Sequence, residues 1–307
     1  MHGENDDADS TKESCGAGRM IRDISCRENR LTRCERPVFM LPGGRKKVIM
    51  RIYMKFLGIH LKAAMQYKLS FLLVTAGQFL TSFNAFLGIL FMFERFHKVR
   101  GYSLSEVLLC FSIVLMSFSL AEMFMRGFDM FAGTIGNGEF DRILLRPRNT
   151  ILLVVSGKIE FSRFGRMLQA VLMLAYGIIA SGIRWDIIKI ITLLLMIGGG
   201  AVIFGGLFVI YASICFFTLE GLEFMNVFTD GAREYGKYPL DIYGKKVLRF
   251  CTYIVPYTLF QYYPFLYLIG KTKNWGVMFF PLVGCLFLCP CFLLWKFGVR
   301  HYQSTGS

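Results

Sequence analysis

The sequence predicts an all-α, polytopic membrane protein with about six transmembrane helices and an N-terminal interfacial helix. Three observations carry that expectation. The chain of 307 residues is 54% hydrophobic and 16% aromatic, with mean hydropathy +0.48, more apolar than a soluble core of this length needs. Several windows then pass the decisive test, a run of about 20 apolar residues, the length a helix needs to cross the hydrocarbon. Lysine and arginine, finally, are concentrated in alternate connections.

Residues 1–50 are polar, rich in Asp, Glu, Arg and Ser, and contain neither helical periodicity nor the apolar run of a signal peptide. They read as a disordered N-terminal extension. Met50 and Met54 stand just before the first amphipathic segment, so a start codon there also fits, and residues 51–307 form the membrane domain. From Arg51 to Lys68, Tyr53, Phe56, Leu57, Leu61, Ala64 and Met65 share one helical face while Lys55, Lys62 and Gln66 lie on another. That pattern describes a helix lying on the membrane surface.

The expected spans are Leu69–Phe93, Leu104–Met125, Phe164–Ile183, Ile187–Phe217, Phe250–Ile269 and Trp275–Phe297. The middle of each lacks Asp, Glu, Lys, Arg and His; Glu94, Glu106, Glu122 and Lys189 fall near ends, where snorkelling is cheap. With the N-terminus inside, residues 1–68 hold 14 basic residues, 126–166 hold 7, 219–250 hold 5 and the tail holds 2, leaving 7 of 35 for the outer loops. Both termini are therefore expected in the cytoplasm. In the fourth span, Gly198, Gly199, Gly200, Ala201, Gly205 and Gly206 offer a small-residue surface for close helix packing.

Net charge is +14, yet no aromatic-interleaved basic patch accompanies it, so nucleic acid is not an expected partner. Gly270-Lys271-Thr272 lacks the first glycine of a phosphate-binding loop, where Phe265 stands. Cys289-Pro290-Cys291 has no histidine or carboxylate beside it to favour thiolates. The pairs Glu139 with Asp141 and Glu220 with Glu223 read as solvated charge. No cofactor, metal or catalytic constellation is visible, and the chain is not expected to be an enzyme.

The informative connection is Arg126–Arg166. In Gly138-Glu139-Phe140-Asp141-Arg142-Ile143-Leu144-Leu145-Arg146-Pro147, apolar Leu144 and Leu145 are flanked by charge, as in a short cytoplasmic helix that presses into a groove on another protein. Pro147 ends the element. Farther on, Tyr253, Tyr257 and Gln261 recur at helical spacing along the fifth span, where rings and an amide could face a translocated molecule.

The segment Gly138–Pro147, together with Tyr238-Pro239-Leu240-Asp241-Ile242-Tyr243, Pro256 and Tyr262-Tyr263-Pro264 through Gly270, resembles the bacterial branch of the type-two ABC exporter permeases. The likeness extends from about Met54 to the C-terminus. It implies a permease in the bacterial plasma (inner) membrane, paired with a second permease subunit, either a copy or a relative. It also implies bound cytoplasmic ABC ATPase subunits, with Glu139, Phe140, Asp141, Leu144, Leu145, Arg146 and Pro147 forming the ATPase-coupling helix. The expected cargo is a hydrophobic or amphipathic small molecule moved outward. The alternative is an ion-coupled secondary transporter, which ordinarily needs an ionisable group near mid-membrane.

Overall fold

A computed structural model describes residues 42–218 and 223–304; most of the expected disordered extension, residues 1–41, lies outside that range. The chain divides into two compact units, Met1–Ile52 and Tyr53–Ser307, and the second carries the features below. The interfacial helix is Pro42–Gln66, starting earlier than the expected Arg51. It breaks at Tyr67 before helix Lys68–Phe96. Within the second unit, Tyr53 and Leu57 pack on Met123, Ile159 and Phe161, while Lys55 and Lys62 are exposed. His60 Nε2 lies 3.0 Å from the carbonyl of Ser156.

The fold is all-α, as predicted. Among the described residues five helices are long and apolar enough to cross a bilayer: Lys68–Phe96, Leu104–Gly136, Phe161–Ala180, Ile187–Thr218 and Trp275–His301. They correspond to the expected first to fourth and sixth spans. The end bearing the Arg126–Arg166 connection is termed inner here, after the charge bias, and the opposite end outer.

The second span is the axis of the bundle. Ser103 and Glu106 cap its outer end reciprocally: the Glu106 amide donates to Ser103 Oγ at 3.4 Å and the Ser103 amide to Glu106 Oε2 at 2.8 Å, satisfying two donors that a helix start leaves free. Almost all of its residues from Val107 to Met123 are buried. The fourth span reaches it through the glycines singled out above. A Cβ on Gly200 would lie 2.6 Å from Ser117 Oγ, and one on Gly205 would lie 2.2 Å from the sulfur of Met125. A Cβ on Gly199 would lie 2.7 Å from Pro281, and one on Gly206 3.2 Å from Phe287 and Cys291, all of the last span. The small-residue surface therefore serves packing within the chain.

The expected fifth span is the one that differs. Residues 245–268 form three short helices, Lys245–Tyr253, Tyr257–Phe260 and Tyr263–Leu268. Pro256 and Pro264 remove backbone donors that a continuous helix would need. The stretch that travels between the two ends is Glu223–Tyr243, expected to be an inner loop. Its path can be read off its contacts with the second span. The Arg233 guanidinium carbon sits 5.4 Å from the ring centre of Phe118, and Lys237 Nζ lies 6.0 Å from that of Phe111. At the outer end the Tyr102 hydroxyl donates to Asp241 Oδ2 at 3.0 Å and Arg100 Nη1 to the Asp241 carbonyl at 3.3 Å.

The chain then turns back. Phe250 stacks on Phe228 at 6.2 Å, and the Tyr257 hydroxyl donates to the Phe228 carbonyl. Phe265 returns to the outer end, 6.4 Å from Tyr102, and Lys271 Nζ reaches the Gly101 carbonyl at 3.5 Å. Residues 245–268 are thus a helical hairpin dipping from the outer end, and the fifth crossing in chain order is a broken segment carrying Asp230, Arg233, Glu234, Lys237 and Asp241. Hydropathy misses it because its charges are matched only in the folded chain, where Arg233 and Lys237 pair with Asp230 and Glu234 and lie on aromatic rings and Asp241 accepts from Tyr102.

One consequence separates the two topologies. A cysteine at Lys245 is expected to react with an impermeant maleimide from the same side as one at Lys273 and from the side opposite one at Asn149. Lys245 reacting together with Asn149 would restore a continuous helical span at 250–269.

Candidate functional site

Helix Glu139–Leu144 begins after Gly138, whose φ of +66° is the left-handed conformation that glycine adopts without strain. Glu139 and Asp141 lie in the first turn and Arg142 in the last, each sign matched to the end of the helix dipole it sits near. Phe140 is fully buried and fixes this helix to the bundle. Its ring meets Phe131 at 5.3 Å, Phe216 at 5.1 Å, Trp295 at 6.3 Å and Tyr302 at 5.0 Å, mostly edge to face. Those partners come from the ends of the second, fourth and last spans and from the tail. One aromatic side chain therefore ties the loop helix to three membrane helices at once.

Ile143 and Leu144 pack against the same cluster. Leu145, by contrast, is 85% exposed, with Arg146, Pro147 and Arg148 exposed beside it. Ser304 Oγ donates to Asp141 Oδ2 at 2.6 Å. Burial, with the Asp141 carboxylate nearby, pushes the Tyr302 phenol up to about 12, so it stays neutral. Asn149 accepts the Ile151 amide at 2.9 Å and caps helix Thr150–Gly157. That helix leans on the second span at Gly127, where a Cβ would lie 1.9 Å from the Val154 carbonyl. Between the loop helix, the second span and this helix lies a cleft of about 320 Å³ bordered by Thr134, Asn137, Glu139 and Lys158.

Above the loop is a charge network centred on Glu122, the group expected to snorkel from the end of the second span. Glu122 is buried and sits between three arginines: Arg126 at 3.2 Å, Arg163 at 3.3 Å, and Arg166 in direct contact. Glu160 pairs with Arg126 at 3.0 Å and Arg163 at 3.1 Å, Asp129 contacts Arg126, and Arg166 also contacts Gln78 of the first span. Three acids and three bases thus join the inner ends of three spans. The signal was present in the sequence as Glu122 with Arg126 four residues on and Arg163 with Arg166 three residues on, which puts each pair on one helix face.

The structure does not bring Tyr253, Tyr257 and Gln261 to one face, because the helix breaks between them. Tyr253 is exposed; Tyr257 and Gln261 are buried. Gln261 Nε2 donates to the carbonyls of Gly236 at 2.9 Å and Tyr238 at 3.0 Å. The latter two residues hold the broken crossing in place.

No curated protein and no solved structure matches this chain. The family description "ABC-2 family transporter protein" matches residues 79–306, a range that takes in most of the first span, the loop helix, the charge network, the broken crossing and the outer hairpin. With most of its length so matched, the chain belongs to the ABC-2 family of transporter proteins and is a membrane permease.

Proposed function

We propose that this chain is the membrane-spanning subunit of an ATP-driven exporter in a bacterial plasma membrane, working with a second permease and with ATPase subunits docked at its inner end. The observation that supports this most is the loop helix. Phe140 anchors it to three spans while Leu145 is left exposed, so a push on Leu145 is delivered to the helices that must move. Apolar Leu145 with arginines on its rim suits a groove on a soluble partner. The chain itself does no covalent chemistry; ATP binding closes the ATPase pair, and Glu139–Leu144 passes that motion on.

A secondary transporter remains the competing class, and the broken crossing gives it an argument that the predicted spans did not, since ion-coupled carriers also place charge within the membrane. Inverted vesicles containing the purified complex separate the two. Uptake is expected to require hydrolysable ATP and a co-purified ATPase, and to persist when ion gradients are collapsed. Uptake that needs a gradient and no ATP would overturn the exporter reading.

A further inference from the structure

The geometry points to the broken crossing Glu223–Tyr243 as the wall of the transport path, and to an amphipathic organic cation as the molecule that passes it. This rests on the reading of the chain as a permease. Backbone that is not continuous helix survives at membrane depth only where protein buries it or where it lines water.

One side of the crossing is buried. Arg233 and Lys237 lie on the Phe118 and Phe111 rings, and Gln261 and Tyr257 hold the carbonyls of Gly236, Tyr238 and Phe228. At a rise of 1.5 Å per residue, Phe111 and Phe118 stand about 10 and about 21 Å along the second span from Leu104, well inside the hydrocarbon.

The other side is open, and the charges there are not evenly shared. The side chains of Asp230 and Glu234, one turn apart on helix Asp230–Tyr235, are 55% and 53% exposed, whereas those of Arg233 and Lys237 behind them are 18% and 19% exposed. Asp230 lies toward the inner end, but Glu234 stands between the levels of Phe118 and Phe111, where lipid cannot solvate a carboxylate, so the open side there faces water. Exposed rings accompany the carboxylates: Phe224 and Phe250 flank the half-buried Phe228, the first edge to face and the second stacked, and Tyr253 follows one turn later.

Fronting carboxylates repel an anion, and a small inorganic ion has no use for rings. A cation with an apolar body meets both features. Toward the outer rim, Lys245, Lys246 and Arg249 are exposed, which disfavours rebinding of a released cation from outside.

The test uses the full chain in native membranes with Val227→Cys, an exposed position that leaves both carboxylates in place. Labelling above the unsubstituted chain is followed with trimethylammonium-ethyl and with sulfonato-ethyl methanethiosulfonate, each rate normalised to its reaction with free mercaptoethanol. An acid-lined aqueous cleft is expected to favour the cationic reagent about tenfold, and Asp230→Asn with Glu234→Gln should abolish the preference at unchanged gel-filtration profile. Equal normalised rates, or a preference that survives removal of the carboxylates, would overturn the charge assignment. A thiol that reacts with neither reagent in the membrane yet labels after denaturation would overturn the path. Neither reading needs ATP, so failure of ATP-driven export would leave this result to stand or fall alone.

Discussion

Leu145→Asp is expected to abolish export while the permease stays folded and inserted. Leu145 touches little within the chain, being 85% exposed, so the substitution removes little packing. What it does is present an unpaired carboxylate to the apolar groove that the proposed function requires on the ATPase. Burying such a charge costs on the order of 3 kcal/mol, which weakens docking by roughly 150-fold. The neighbouring Leu144 is a poorer probe, because it packs against the cluster around Phe140 and a charge there would also damage the fold. Pull-down of the ATPase and transport in vesicles are the two readouts. If both match wild type, Glu139–Leu144 is not the coupling element.

The second large effect is on stability. Glu122→Ala removes the carboxylate shared by Arg126, Arg163 and Arg166. Arg163 retains Glu160, but Arg166, itself buried, loses its carboxylate partner and keeps the amide of Gln78 and the ring of Phe118. Breaking one side of a buried pair costs about 3–5 kcal/mol, mostly as uncompensated charge, which lowers the midpoint of thermal unfolding in mild detergent by on the order of 10 °C. Glu160→Ala, at a side chain one-third exposed, serves as the contrast and is expected to cost about 1 kcal/mol or less. Equal midpoints for the two variants would mean that the network contributes nothing by its burial.

The architecture was legible wherever one physical rule dominates. A helix that crosses the bilayer by itself must be long and apolar, and the five that do so appear in sequence as uninterrupted runs. The loop helix was legible for a related reason: a charged frame around Leu144 and Leu145, closed by Pro147, is local information. What could not be read there was the division of labour between adjacent residues. Phe140 becomes the anchor because nearby Phe131 and, from two distant stretches, Phe216 and the pair Trp295 and Tyr302 converge on it. Leu145 becomes the tip because Ile143 and Leu144 are spent on the same cluster.

The broken crossing marks the other boundary. Residues 250–269 have the apolar composition of a span, and residues 223–243 have the charge of a loop; each local reading was reasonable. Tertiary structure reverses them because the cost of a charge in the membrane depends on its surroundings. The ring faces of Phe111 and Phe118, the amide of Gln261, and the pairing of Arg233 and Lys237 with Glu234 provide those surroundings only after the second span and the hairpin are packed. The sequence by itself thus determined a helical, multi-pass, ABC-2-like permease with a basic connection at Arg126–Arg166, since hydropathy and charge act over a few residues. Only the packed structure decided which segment makes the fifth crossing and where Glu122 stands, since those are settled by partners far apart in the chain.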